Sequence, residues 1–156
     1  MAHTAFNIIA AFILLLFIIA ACFKKITPAA VITDLIYVGY SLVFEIILGD
    51  RLGFYYYISP AESTLYMILS VILIYIPINL IYLAFLPEKP GGIVVYTVFW
   101  IVGMLLFEYI SLVTDIVVLT GWRILPWSIL TYIATYLLLN LLYRYLDRRL
   151  AVKRAA

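Results

Sequence analysis

The stretch "IVVYTVFWIVGMLLFEYISLV" (residues 93–113) carries a single carboxylate, Glu108, in a run of otherwise apolar, aromatic and small side chains. A helix needs about 20 mostly apolar residues in a row to cross the hydrocarbon core of a bilayer. The run is that long, and it does not alternate at period two as the strand of a membrane barrel would, so it reads as a helix. It lies inside one apolar segment, near 92–118, and four more follow the same pattern, near 5–23, 29–49, 64–86 and 124–146. The separators "KKITP" (24–28), "GDRLGFYYYISPAES" (49–63), "LPEKPGG" (86–92) and "TGWRILPW" (120–127) hold the Pro, Gly and charged residues that break spans. The expected fold is all-α: a polytopic transmembrane bundle of five spans in a single integral membrane domain covering 1–156, ending in a basic tail at 147–156.

Composition agrees with that solvent. Of the 156 residues, 68% are hydrophobic and 12% charged, and mean hydropathy is +1.20. Ordinary soluble domains are roughly 25% charged. A net charge of +2 creates no global field for nucleic acid. One cysteine, Cys22, excludes an internal disulfide framework and a cysteine-built zinc site, and His3 is equally alone. No cofactor is indicated, and no metal can be named. There is no Ser-His-Asp set, HExxH or glycine-rich phosphate loop, so an enzyme is the weakest functional class.

Lysine and arginine set the expected orientation. Lys24, Lys25, Lys89, Arg144, Arg148, Arg149, Lys153 and Arg154 fall on one side of a five-span chain, with only Arg51 and Arg123 on the other. The positive-inside rule then puts the C-terminus in the cytoplasm and the N-terminus outside, in a bacterial inner (cytoplasmic) membrane. A cleaved, lipid-modified reading of the first span, suggested by "IAAC" (19–22), is disfavoured because Lys24 and Lys25 follow the apolar run instead of preceding it. On the outer side, "GFYYYIS" (53–59) and the pair Trp122 and Trp127 read as an aromatic belt.

An internal repeat emerges when spans are compared. "VGYSLVFE" (38–45) aligns with "IVGMLLFE" (101–108), sharing Leu42/Leu105, Phe44/Phe107 and Glu45/Glu108. "YIPINLIY" (75–82) aligns with "YLLLNLLY" (136–143), sharing Tyr75/Tyr136, Asn79/Asn140, Leu80/Leu141 and Tyr82/Tyr143. Spans two and three form one hairpin, spans four and five a second, and the first span is an addition. Both hairpins run from inside to outside and back, so a parallel repeat about an axis along the membrane normal is expected.

The acids in these helices are the candidate site. Asp34, Val38, Ser41 and Glu45 share one face of the second span, and Met104, Glu108, Ser111 and Asp115 share one face of the fourth. Tyr75 and Asn79 on the third span, and Tyr136 and Asn140 on the fifth, are expected to line the same interior. A carboxylate near the bilayer centre costs at least about 2.5–3.5 kcal/mol, so Glu45 and Glu108 should be protonated, share a proton or hold a cation. The expected function is binding or carrying a small polar solute, cation or lipid headgroup. The alternative is a structural or interaction subunit in which the glutamates are interhelical hydrogen-bond ties. Expected partners are the lipid bilayer and either a second copy of the chain or another membrane protein.

Over about residues 34–146 the chain resembles an uncharacterised family of small multi-spanning membrane proteins found mainly in spore-forming Firmicutes. The resemblance is carried by Asp34, "FEIILG" (44–49), "INLIYLAFLP" (78–87), "LFEYIS" (106–111) with Gly121–Trp122, and Tyr132. It implies a membrane topology and brings no activity, cofactor or partner.

Overall fold

Five helices long and apolar enough to cross a membrane make up the chain: α1 (Ala2–Phe23), α2 (Pro28–Arg51), α3 (Ser63–Ala84), α4 (Pro90–Val113) and α5 (Ile124–Leu150). The structure, a computed structural model, describes residues 1–155, and side chains through Leu150. Lys153 and Arg154 of the basic tail therefore lie outside the described side chains.

Local chemistry sets the helix ends. The Thr27 side chain caps α2 by accepting from Ala30 N at 3.1 Å, and Pro28 occupies the first turn, where a missing N–H costs nothing. Pro90 opens α4 in the same way. The segment expected near 92–118 is shorter as a helix and stops at Val113. Asp115 takes φ +56°, and its N–H bonds Leu112 O while Ile116 N bonds Ser111 O. That left-handed Schellman ending closes the helix. Apolar pattern alone does not reveal it, because the residues after the turn are again Ile and Val.

Two helices depart from α geometry. In α3, Val71–Tyr75 widens into a π-turn just before Pro77, whose ring and missing N–H disturb the preceding turn. In α2 the last residues, Ile46–Arg51, are π-helical.

Past these ends the chain forms two short strands, β1 (Tyr55–Tyr57) and β2 (Val117–Leu119), where a membrane-surface loop was expected. They pair antiparallel with Tyr56 opposite Val118, flanked by Tyr55 opposite Leu119 and Tyr57 opposite Val117. Beyond the ladder, Ile58 N donates to Ile116 O at 3.0 Å and Thr120 N donates to Phe54 O at 3.0 Å. The pair makes a strap across one end of the bundle, called here the strap end. Lys24, Lys25, Lys89, Arg144, Arg148 and Arg149 belong to the helix ends and turns of the opposite, basic end.

The two crossovers into this strap are built alike. Leu52 N, Gly53 N and Phe54 N donate to Ile47 O, Gly49 O and Leu48 O. Thr114 N, Asp115 N and Ile116 N donate to Ile110 O, Leu112 O and Ser111 O. Gly53 (φ +64°) stands where Asp115 (φ +56°) stands. The acceptors are offset by 63 residues and the donors by 62, so the first crossover contains one more residue. That residue falls in the π-helical end of α2, the geometry that absorbs a one-residue insertion.

Packing is uneven. Helix α2 lies against both α3 and α5, and α4 lies against α5. Helix α1 packs on α3 through Phe6, Ala10, Ile13 and Ala20, a stripe of helical spacing. On α4 only Met104 and Ser111 are buried.

Candidate carboxylate site under the strand pair

Beneath the strap, β1 delivers two tyrosines to one acid. Tyr55 and Tyr57 are two residues apart, so they leave the strand on the same face. The Tyr55 hydroxyl donates to Glu45 Oε2 at 3.0 Å, and the Tyr57 hydroxyl reaches the same oxygen at 3.4 Å. Tyr57 also lies 3.4 Å, hydroxyl to hydroxyl, from Tyr75 on α3. Its backbone is anchored too, because Tyr57 N donates to Ser63 Oγ at 3.2 Å. Burial first, and the Glu45 carboxylate second, push both strand hydroxyls up from the ordinary tyrosine value, which keeps them as donors.

Glu108 is held differently. Ser128 Oγ, at the start of α5, donates to Glu108 Oε1 at 2.6 Å and itself accepts from Trp122 Nε1 at 3.0 Å. The second oxygen, Oε2, is buried and has no hydrogen-bond partner. Tyr132 of α5 lies beside Glu108, and Tyr75 is within electrostatic reach of both glutamates. The two half-sites also touch through rings, since Tyr55 meets Trp122 edge-on at 6.2 Å. Glu45 and Glu108 thus share one acid–hydroxyl–aromatic cluster, and each is bonded to groups of its own hairpin, not to the other hairpin.

The other expected lining residues are spread along the bundle. Asp115 is exposed and serves as the helix-ending residue of α4. Ser111 is buried but bonds back to Phe107 O at 2.9 Å. Ser41 sits one layer deeper, beside Tyr37, whose hydroxyl pairs with Thr135 Oγ1 at 3.0 Å. Asn79, Tyr136 and Asn140 belong to a second polar layer nearer the basic end. There Asn79 Nδ2 donates to Asp34 Oδ1 at 2.9 Å, and Asn140 Nδ2 donates to the Tyr82 hydroxyl at 2.6 Å and to Tyr136 O at 2.8 Å. The Tyr82 hydroxyl continues to Thr97 Oγ1 at 2.8 Å, and its ring, fully buried, stacks on Tyr96 and tilts against Trp100 and Tyr136.

Tyr55, Tyr57, Trp122 and Ser128 complete the strap-end cluster, whereas sequence alone assigns the three aromatics to anchoring at a membrane surface. The two-residue spacing of Tyr55 and Tyr57 was the available signal. It acquires meaning only once the segment is known to be a strand. Among the described residues, no three His, Cys, Asp or Glu side chains come together. No protein family, curated protein or solved structure matches the chain.

Proposed function

We propose that this chain is a multi-pass protein of the cytoplasmic membrane that binds a small cation through Glu108, in the cluster beneath its strap. The observation that carries this reading is the unpartnered, buried Glu108 Oε2 beside an Oε1 fixed by Ser128. One oxygen orients the carboxylate, and the other presents a lone negative acceptor in a site where an uncompensated charge is expensive. The Tyr75, Tyr132 and Ser128 hydroxyls lie near this carboxyl, oxygen groups suited to a hard monovalent cation or an ammonium group.

The bundle is a doubled hairpin, α2–α3 followed by α4–α5, with α1 added. Support comes from the paired crossover hydrogen bonds and from a strap whose ladder maps onto itself when the two hairpins exchange. A two-fold axis through the Tyr56–Val118 pair, along the membrane normal, accounts for both. The strap end faces outward and the basic end faces the cytoplasm, supported by the distribution of Lys and Arg.

Glu108→Gln tests the site. Glutamine still accepts from Ser128 through its amide oxygen but puts an NH2 donor where the free carboxylate oxygen stood. Thermal denaturation of the detergent-solubilised chain, titrated with sodium, potassium and alkylammonium salts, should show cation stabilisation in the parent. In the variant, affinity should fall at least tenfold, about 1.4 kcal/mol. Indistinguishable titrations would overturn the assignment. Glu45 favours a second, structural reading. With two tyrosine donors on Oε2 it ties strand to helix, so Glu45→Gln should loosen the strap and leave cation affinity within about threefold.

A further inference from the structure

Among the described residues, the buried acid that this cluster does not use is Asp34. Its side chain is 1% exposed, on a stripe of α2 with Ala29, Ala30 and Thr33, about 9 Å along the axis from the first residue of the helix. One neutral group holds it, the Asn79 amide at 2.9 Å. Among the described residues the only contact at ion-pair distance joins His3 to Glu62 at the other end of the bundle, and Lys24, close in sequence, sits over the Phe85 ring. The polar groups brought to this level by α3 and α5 are neutral as well, Asn79 and Tyr82 from the one and Tyr136 and Asn140 from the other. Beside Asp34, Thr33 is 0% exposed and its Oγ1 has no partner.

A tie between helices does not explain the carboxylate. The residue that the repeat sets opposite Asp34 is Thr97, and there the job is done by hydroxyls, with Thr97 bonded to Tyr82 and Tyr82 to Asn140. A threonine or asparagine at 34 would tie as well without the desolvation cost of an acid. What an acid adds is the capacity to take up and release a proton. We infer that Asp34 is an exchangeable proton site on the cytoplasmic side of the bundle. The O–H bond of the carboxyl forms as a proton arrives from water and breaks as it returns, with no other co-reactant. The inference rests on the membrane orientation and the repeat, and not on the Glu108 cation site.

Aspartate carrying a carbon-13 carboxyl separates it from both glutamates. The other aspartates, Asp50, Asp115 and Asp147, are exposed. In infrared spectra of the full chain in lipid nanodiscs, at a pH where exposed aspartates are ionised, the label should give one protonated carboxyl band. That band should shift in D2O and convert reversibly to carboxylate as the pH is raised. It should vanish in Asp34→Asn, move in Asp34→Glu and persist in Glu108→Gln. Only ionised label, or a band that neither exchanges nor titrates, would overturn the inference. The labelled parent chain decides this even if Asp34→Asn does not fold. A cation titration lost in Glu108→Gln while the aspartate band is absent would leave the outer site standing and remove the inner one.

Discussion

Two glutamates at matching places in sequence have unlike surroundings, and the difference lies in what the strap brings to each. Glu45 receives two tyrosine hydroxyls on one oxygen, whereas Glu108 receives a serine hydroxyl on one oxygen and nothing on the other. The tyrosine pair gives the strap a pH signature. Both hydroxyls are raised above the ordinary tyrosine value, so the folded state holds their protons more tightly than the unfolded chain does. The stability they contribute is complete below about pH 10, the ordinary value, and is lost as pH rises through the higher folded values. An alkaline titration followed by emission of Trp122, which packs on Tyr55, should report the strap loosening from about pH 10 upward. Changing both Tyr55 and Tyr57 to Phe should lower stability at neutral pH by about 1–3 kcal/mol and flatten that alkaline limb. An unchanged limb would mean that other groups govern it.

At the scale of elements, span number was legible because an apolar run of membrane-crossing length has few other uses, and the helices begin within three residues of where the runs do. The end of the fourth span was not, since Asp115 stops α4 by a backbone conformation that its neighbours Ile116, Val117 and Val118 conceal. The strap was equally hidden. Three-residue strands have too short a pattern to read, and their pairing joins segments that the sequence holds apart by a whole hairpin. The acid faces were legible in part: helical spacing grouped Asp34 with Glu45 on α2, but depth and partner decide which acids meet, and those depend on α3 and α5. The π-helical end of α2 gives the repeat a test at this scale. Deleting Arg51 removes the residue by which the first crossover exceeds the second and keeps Asp50 for its bond from Thr64. The shortened α2 should end as α4 does, with the strap retained and the midpoint of thermal denaturation within about 5 °C of the parent, a shift of roughly 1 kcal/mol. Deleting Val38 instead turns the flanking halves of α2 by about 100° relative to each other and separates Asp34 from Glu45 on the helix face, which should abolish folding. Equal damage from both deletions would argue against a repeat.

Over the whole molecule, the symmetry of the strap gives way to an asymmetric bundle. Helix α1 covers α3, nothing comparable covers the second hairpin, and α4 turns Val94, Val95, Val98, Phe99, Val102 and Leu106 outward. An apolar exterior of this kind is stable against lipid and unstable against water, in keeping with helices long and apolar enough to cross a membrane. The basic residues cluster where five helix ends and two short turns meet, and the strap end carries Tyr55, Tyr57, Trp122 and both halves of the carboxylate cluster. Reversing the chain in the membrane would translocate the basic end and open the Glu108 site to the cytoplasm. Thiol labelling distinguishes these two arrangements in intact cells. In a Cys22→Ser background, Ala61→Cys places a thiol on the exposed crossover after β1, and Lys89→Cys places one on the exposed turn before α4. A membrane-impermeant maleimide added outside should modify the first and spare the second until the membrane is permeabilised. The opposite pattern would invert the topology and turn the cation site towards the cytoplasm, and labelling of both positions in sealed cells would remove the membrane-spanning bundle altogether.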